Sequence, residues 1–304
     1  MSVKVVIRVR PLSQREKDRG CTSCIAMDGP CTLIYDVATQ RTFTFTFDYS
    51  FWSSNGFEEE DDGLLVPSES YYGDQHKVYD QIGADFFEDA WSGYHSFLLA
   101  YGQTDSGKSY SLMGYGSNQG IIARFVLEMF QKIDETTTQD RWYKVSMIML
   151  EIYKELIQDL LVDYKSVPAR GLKVRESKKL GIYIQNLSKH SVIRSEDLFK
   201  FLEEENNNKC IMATYMGQSS SRKQTIIIFS SNQFEIIDGT TTETYSDTKF
   251  VEMAGSERPR TPNATANWLR ECRNINQMFG FPWSYYYNSC CQGKYEKYKL
   301  NSTL

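Results

Sequence analysis

An α/β fold of the P-loop NTPase kind, with a central, mostly parallel mixed sheet flanked by helices on both faces, is predicted for this chain by three observations. Residues 102–109 read Gly-Gln-Thr-Asp-Ser-Gly-Lys-Ser, a complete G-x-x-x-x-G-K-[ST] phosphate-binding loop. They follow the apolar run Phe97-Leu98-Leu99-Ala100, which supplies the strand such a loop needs. Elsewhere, segments of strand period alternate with segments of helix period, the pattern of a sheet covered on both faces.

The elements follow in order. Lys4 to Val9 alternates around β-branched residues and predicts a strand; Thr42 to Phe47 alternates threonine with Phe43, Phe45 and Phe47 and predicts a half-buried one. Ser53 to Gly73, rich in serine, glycine and acids, predicts an exposed insertion. From Lys77 the stripe Val78, Ile82, Phe86, Ala90 recurs every four residues and predicts an amphipathic helix leading to the P-loop strand. After the P-loop helix, which ends near Gly114, the pattern predicts a helix over Ile121 to Ile133 and a strand over Lys144 to Tyr153. A short helix ending near Leu161 and a basic, hairpin-like stretch bearing Gly171 and Gly181 come next. Ser195 is placed to cap a helix through Glu205, with Glu196 and Asp197 in its first turn, where the macrodipole favours acids. Ile226 to Phe229 and Lys249 to Val251 complete the strands.

Bulk properties bound the function. With 304 residues, 41% hydrophobic and 24% charged, the chain can bury a large core, and no linker divides it. The longest apolar stretches, such as Val145 to Leu150, fall far short of a membrane span, and a strand-like pattern starts directly after Met1, so a soluble protein without a signal peptide is expected. Seven cysteines without a dense framework point to a reducing compartment, the cytosol. Cys21-x-x-Cys24 with Cys31 is a faint metal signal, but His76, His95 and His190 are scattered, and zinc is not expected. A net charge of −5 argues against a general nucleic-acid binder. The average hides an asymmetry: Glu58 to Asp62 are five acids in a row, whereas eight basic residues from Lys165 to Arg194 face only Glu176. Such a run is either a solvated face or a docking patch for an acidic partner.

The loop defines the chemistry. Its backbone N–H groups converge on phosphate at a helix N-terminus, Lys108 reaches the outer phosphates, and the Ser109 hydroxyl is a Mg²⁺ ligand. Asp105 places a carboxylate inside the loop, which repels phosphate unless the side chain faces solvent or the cation offsets it. Acting on the γ-phosphate further requires an acid for the Mg²⁺ shell and loops that sense the phosphate. Val251-Glu252-Met253-Ala254-Gly255-Ser256-Glu257-Arg258 ends a strand in an acid and continues into a glycine whose N–H can meet the γ-phosphate; Ser219-Ser220-Ser221-Arg222 supplies hydroxyls and an arginine that can pair with Glu257.

Taken together, these motifs resemble the kinesin motor domain. Residues 102–109 match the family's G-Q-T-G-[SA]-G-K-[ST], residues 220–224 its S-S-R-S-H, and residues 252–258 its D-L-A-G-S-E-R. Arg8-Val9-Arg10-Pro11 resembles the adenine-side R-x-R-P, and Leu150-Glu151-Ile152-Tyr153 with Asp159-Leu160-Leu161 resembles L-E-I-Y-x-E-x-x-x-D-L-L. Phe47-Asp48-Tyr49-Ser50-Phe51-Trp52, Gly107-Lys108-Ser109-Tyr110 and Leu187-Ser188-Lys189-His190 are most like the kinesin-3 class. The resemblance covers residues 1–304 as one motor domain, incomplete at its C-terminal end.

The resemblance implies ATP/ADP and Mg²⁺ as cofactors and microtubules (tubulin) as partner, in the cytoplasm on the cytoskeleton. It implies no nucleic acid, no membrane insertion, and cargo or dimer partners held through segments not present. Arg10, Pro11 and Tyr79 would pack on the adenine; Gly102, Gln103, Thr104, Asp105, Ser106, Gly107, Lys108, Ser109 and Tyr110 would line the phosphates. Ser220, Ser221 and Arg222 would form the first switch, and Glu252, Gly255 and Glu257 the second, with Ser109, Ser221 and Glu252 around Mg²⁺. The basic segment 165–194 would in part face the microtubule.

Several residues depart from the family pattern. Besides Asp105, the first-switch asparagine is Gly217, the Ser-His after its arginine is Lys223-Gln224, and the second-switch aspartate is Glu252. Asn274-Ile275-Asn276 keeps the N-I-N of the relay helix, but Gly280-Phe281-Pro282 interrupts it. Two readings follow: a microtubule-stimulated ATPase motor, or a pseudo-motor that binds nucleotide or microtubules without productive hydrolysis. A P-loop GTPase is disfavoured, because guanine-selective N-K-x-D is absent.

Overall fold

The computed structural model describes residues 3–163, 166, 168, 170–178, 181–202 and 222–256. The chain divides into two compact units, one of residues 1–83 and 113–121, the other of residues 84–112 and 122–304.

In the first unit, β1 (Val6–Val9) is followed by α1 (Gln14–Asp18) and a meander of β2 (Ile25–Asp28), β3 (Cys31–Asp36) and β4 (Arg41–Thr46). β5 (Tyr49–Trp52) pairs in parallel with β1. The Thr-Phe alternation of β4 forms the expected strand, but it is exposed along its whole length rather than half-buried. Alternation reports strand geometry; burial needs a covering element, which no local pattern encodes. The acidic insertion contains a hairpin of β6 (Phe57–Glu59) and β7 (Leu65–Pro67).

The helix expected from Lys77 starts at α2 (Gln75–Val78), capped by Asp74, passes through a π-turn at Tyr79–Gly83, and resumes in the second unit as α3 (Ala84–Trp91). The π-turn inserts an extra residue, so the buried positions run Val78, Tyr79, Gly83, Phe87, Ala90, and the expected Ile82 and Phe86 are only half-buried. Gly83 belongs there for a steric reason: a Cβ would lie 2.2 Å from Cδ2 of the Tyr79 ring.

The second unit continues with β8 (Ser96–Ala100), the P-loop and the five-residue α4 (Lys108–Leu112). The small β9–β10 hairpin (Gly114–Tyr115 and Asn118–Gln119) belongs to the first unit, where the Asn118 side chain accepts from the N–H of Leu65 and donates to the Gly63 carbonyl. α5 (Ile121–Thr136) leads to the long β11 (Arg141–Tyr153). The short helix expected to end near Leu161 is instead the strand β12 (Leu156–Asp159). Lys154 and Glu155 both have positive φ, 48° and 65°, forming a two-residue reversal that folds β12 back on β11. Neither residue type announces that turn.

β13 (Val174–Ser177) and β14 (Gly181–Ile184) form the basic hairpin, and β15 (His190–Val192) pairs with β11. Residues 195–202 are helical, and the Asp197 carboxylate accepts from the N–H groups of Ile193 and Arg194. β16 (Gln224–Ile237) and β17 (Thr240–Glu252) are far longer than the four- and three-residue runs that predicted them. Asp238-Gly239, with φ of 51° and 74°, makes a two-residue turn between them.

The central sheet has the order β12–β11–β16–β17–β8, with β15 also on β11. It is mixed, as expected, but among the described strands β17–β8 is its single parallel pairing, so the expected parallel majority is corrected. Two hairpins join β12 to β11 and β16 to β17, and a hairpin connection imposes antiparallel pairing. One face carries Phe229 and Phe250, whose rings meet Phe125 of α5, with Phe86 of α3 5.4 Å from Phe250. Leu150, Ile226 and Val251 form the opposite face with Ile157 and Met253.

Candidate functional site

Parallel pairing of β8 with β17 places Ala100 opposite Glu252, so the P-loop and the chain leaving β17 emerge side by side. Two backbone bonds keep them together: the N–H of Met253 donates to the Ala100 carbonyl and that of Ser256 to the Gly102 carbonyl, each at 3.1 Å. A Cβ at Gly102 would lie 2.4 Å from Ser106 Oγ, so glycine leaves the Ser106 hydroxyl its place within the loop. The loop closes with Ser106 N–H on the Gln103 carbonyl, and Gly107 enters α4 at a φ of 93°.

Lys108 and Ser109 begin α4. The Lys108 ammonium donates to the carbonyls of Gly102 and Gln103, at 3.1 and 2.7 Å, so the positive charge is held inside the loop. Ser109 Oγ donates to Glu252 Oε1 at 2.5 Å. This contact joins two residues 143 positions apart. A hydroxyl and a carboxylate converging at a helix start form the hard-oxygen donor set that suits Mg²⁺, and the residues therefore fit that cation.

Asp105 is exposed and left-handed, with φ of 60° where the resembled pattern has glycine. Its solvent exposure meets one of the two conditions for a tolerable carboxylate in a phosphate loop. At a separation of roughly 8 Å and an effective dielectric of roughly 40, it still opposes each phosphate charge by ~1 kcal/mol. Replacement Asp105→Gly is expected to tighten nucleotide binding about fivefold at low salt, with the gain shrinking as salt rises. Relief of the left-handed backbone is offset by the greater freedom of glycine in the unfolded chain, so Tm should move little. Titration with a fluorescent ATP analogue at two ionic strengths checks this.

In the first unit, Arg10 makes a bidentate ion pair with Glu16, both contacts at 2.8 Å. Glu16 is also the partner of Ser13 in a complete capping box at the start of α1. The Arg10 bond, with help from the Ser13 N–H, lowers the Glu16 carboxyl to about 2. Stability from this carboxylate is therefore fully present above the ordinary carboxylate range, declines as pH falls below that range, and is gone once pH has fallen through about 2. Arg8 bonds Gln75 Oε1, Ser53 Oγ and the Gly73 carbonyl, tying β1 to the start of α2. The Tyr79 ring is buried.

The structure thus brings together Gly102 to Ser109, Glu252 and the backbone around Gly255. Arg222 lies in a short turn just before β16. Arg10, Pro11 and Tyr79 belong to the first unit, Tyr110 lies in α4, and Ser220, Ser221 and Glu257 lie outside the described residues. Sequence reasoning passed over Glu16 as the partner of Arg10, although Ser13-x-x-Glu16 is a readable capping signal. It also passed over the buried pair of Lys223 with Glu151, for which no local signal exists.

Comparison with known proteins agrees with this geometry. The family model described as the kinesin motor domain matches residues 8–279. The kinesin-like protein KIF28 of Rattus norvegicus is 40% identical over 278 residues, covering 90% of this chain and 26% of that protein. KIF16B of Homo sapiens is 36% identical over 287 residues, covering 91% and 21% respectively. The chain therefore spans about a quarter of the length of these curated relatives. Among solved structures, a KIF14 dimer in the two-heads-bound, AMP-PNP state on a microtubule superposes with a TM-score of 0.78 at 31% identity, covering 92% of this chain and 75% of that one. A fast kinesin superposes with a TM-score of 0.76 at 28% identity, covering 90% and 72%.

Proposed function

The chain belongs to the kinesin motor-domain family, and on that premise we propose that it is an ATP-dependent microtubule motor domain, coupling ATP binding and hydrolysis to microtubule binding and movement. The observation that carries the reading is the Ser109–Glu252 contact, which joins the phosphate loop to the end of β17. In this reading the loop's N–H groups and Lys108 hold the phosphates, and Ser109 with Glu252 holds the cation. When bound, Mg²⁺ neutralises phosphate charge and supports attack of water on the γ-phosphate. By the family resemblance, Arg10, Pro11 and Tyr79 would be the adenine-binding residues, with Glu16 orienting Arg10. By the same resemblance, Arg222 would pair with Glu257, and Ser220, Ser221 and Gly255 would serve the γ-phosphate side; Ser220, Ser221 and Glu257 lie outside the described residues. The backbone bonds of Met253 and Ser256 to Ala100 and Gly102 give the segment after Glu252 a direct path to sense loop occupancy.

The KIF14 neighbours are described in complex with a microtubule, in AMP-PNP and ADP states, which supports tubulin as partner and ATP/ADP as ligand. The exposed β13–β14 hairpin, carrying Arg175 with Lys173 and Lys178 beside it, is a candidate microtubule-facing surface. A cytoplasmic, cytoskeletal location accords with this, and among the described residues no helix is long and apolar enough to cross a membrane.

A second reading, a pseudo-motor that binds nucleotide or microtubules without productive turnover, is favoured by one observation: the left-handed Asp105, which puts a carboxylate inside the phosphate loop. Steady-state ATPase with and without microtubules separates the two. Stimulation of about tenfold or more is the expected result for a motor; nucleotide binding without stimulated turnover would assign the chain to the second reading.

A further inference from the structure

In the central sheet, Glu151 of β11, Thr225 of β16 and Glu252 of β17 form one cross-strand row, Thr225 being the direct partner of both glutamates. Direct partners share a face, and this is the face covered by α3, α4 and α5, opposite the Leu150–Ile226–Val251 cluster. Glu252 uses it to reach Ser109. Glu151, in contrast, is fully buried, its side chain 0% exposed. Its counter-ion is Lys223, 6% exposed at its side chain, with Nζ 2.9 Å from Glu151 Oε1. Among the described residues neither Glu151 oxygen has a well-aligned hydrogen bond, and the charge attraction of Lys223 is what compensates the carboxylate there.

Lys223 follows Arg222 directly and precedes the first residue of β16. A side chain held at this point restrains the peptide unit that carries Arg222. The resembled family pattern has serine here, too short to make such a span, so the pair is a property of this chain. A buried charge pair is seldom the most stable filling of its site, but removing one partner leaves an uncompensated charge and is strongly disruptive. That asymmetry makes it a strict register device rather than a general source of stability.

We propose that Lys223 and Glu151 anchor the root of the first-switch segment to the central sheet, one strand away from Glu252, and that Lys223 is a positioning residue for Arg222. The role of Arg222 rests on the motor reading above; the anchor itself does not.

The experiment is amide hydrogen exchange of the full chain without nucleotide, comparing wild type with Lys223→Met, Glu151→Gln and the charge swap Lys223→Glu/Glu151→Lys. Exchange over Arg222 to Gln224 is expected to rise at least tenfold in each single variant, to stay within about threefold over Ile227 to Ser231, and to fall back by more than half in the swap. Unchanged exchange over Arg222 to Gln224, or an equal rise along all of β11 and β16, would overturn the anchor. Should the single variants not fold, the apolar pair Lys223→Met/Glu151→Leu removes both charges without leaving one buried; local acceleration over Arg222 to Gln224 is expected there, and its absence overturns the proposal. Binding of a fluorescent ADP analogue to wild type is measured alongside. Failure to bind counts against the motor reading alone, whereas the exchange result decides the anchor. Where binding holds, ADP release from Lys223→Met is expected to be at least fivefold faster at unchanged Tm-corrected folded fraction; release equal to wild type overturns the positioning role.

Discussion

Lys108→Ala is expected to weaken binding of a fluorescent ATP analogue by at least about 100-fold and to remove microtubule-stimulated turnover. The ammonium is already held at the loop, donating to the carbonyls of Gly102 and Gln103. Phosphate oxygens would offer it charge-assisted bonds in exchange, each contributing ~1.5–3 kcal/mol, and two of them account for a factor of at least 100. The alanine variant also leaves two inward carbonyls without their donor, so the empty loop should loosen. The measurement is a titration with the labelled nucleotide together with ATPase assay. Binding within about threefold of wild type would mean that the loop does not hold phosphate in this protein.

Glu252→Asp is expected to raise kcat of the ATPase, by as much as about 100-fold if geometry limits the rate. With its extra methylene, Glu252 touches Ser109 Oγ directly at 2.5 Å. Aspartate, about 1.5 Å shorter, would withdraw from the hydroxyl and leave space for a water between carboxylate and cation. Displacement on the scale of an ångström can change rates by about two orders of magnitude. The change keeps the charge and is not expected to alter the fold, because Glu252 is only half-buried at the strand end. Steady-state ATPase with microtubules tests it. An unchanged kcat would show that the longer acid is not what limits this site and would shift attention to Asp105 and to Lys223-Gln224.

Much of the site is legible in the chain because its parts are local. The phosphate loop is a contiguous octapeptide, its strand immediately precedes it, and the strand-ending Glu252 followed by Met253-Ala254-Gly255 gains its meaning from its order after that loop. Backbone geometry in such segments depends on glycines and small residues at fixed spacing. The same holds for the capping box of Ser13 and Glu16, which was readable and carries the partner of Arg10. Elements failed where the deciding contact was distant or a conformation was unusual. β12 is a strand because Lys154 and Glu155 adopt left-handed backbone, against their ordinary preference for helix. β4 shows perfect alternation yet is exposed, since burial is a property of neighbours.

The sequence by itself determined the nucleotide loop, its lysine and serine, the acid that follows a strand, and the family these motifs belong to. Tertiary structure alone decided that Ser109 meets Glu252, that the described strands of the sheet pair mainly antiparallel, and that Lys223 turns inward to Glu151, 72 positions away. The physical reason is the same in each case. A motif constrains the dihedral angles of a few consecutive residues, whereas cross-strand register and burial are set by the whole sheet and appear only once the strands have paired.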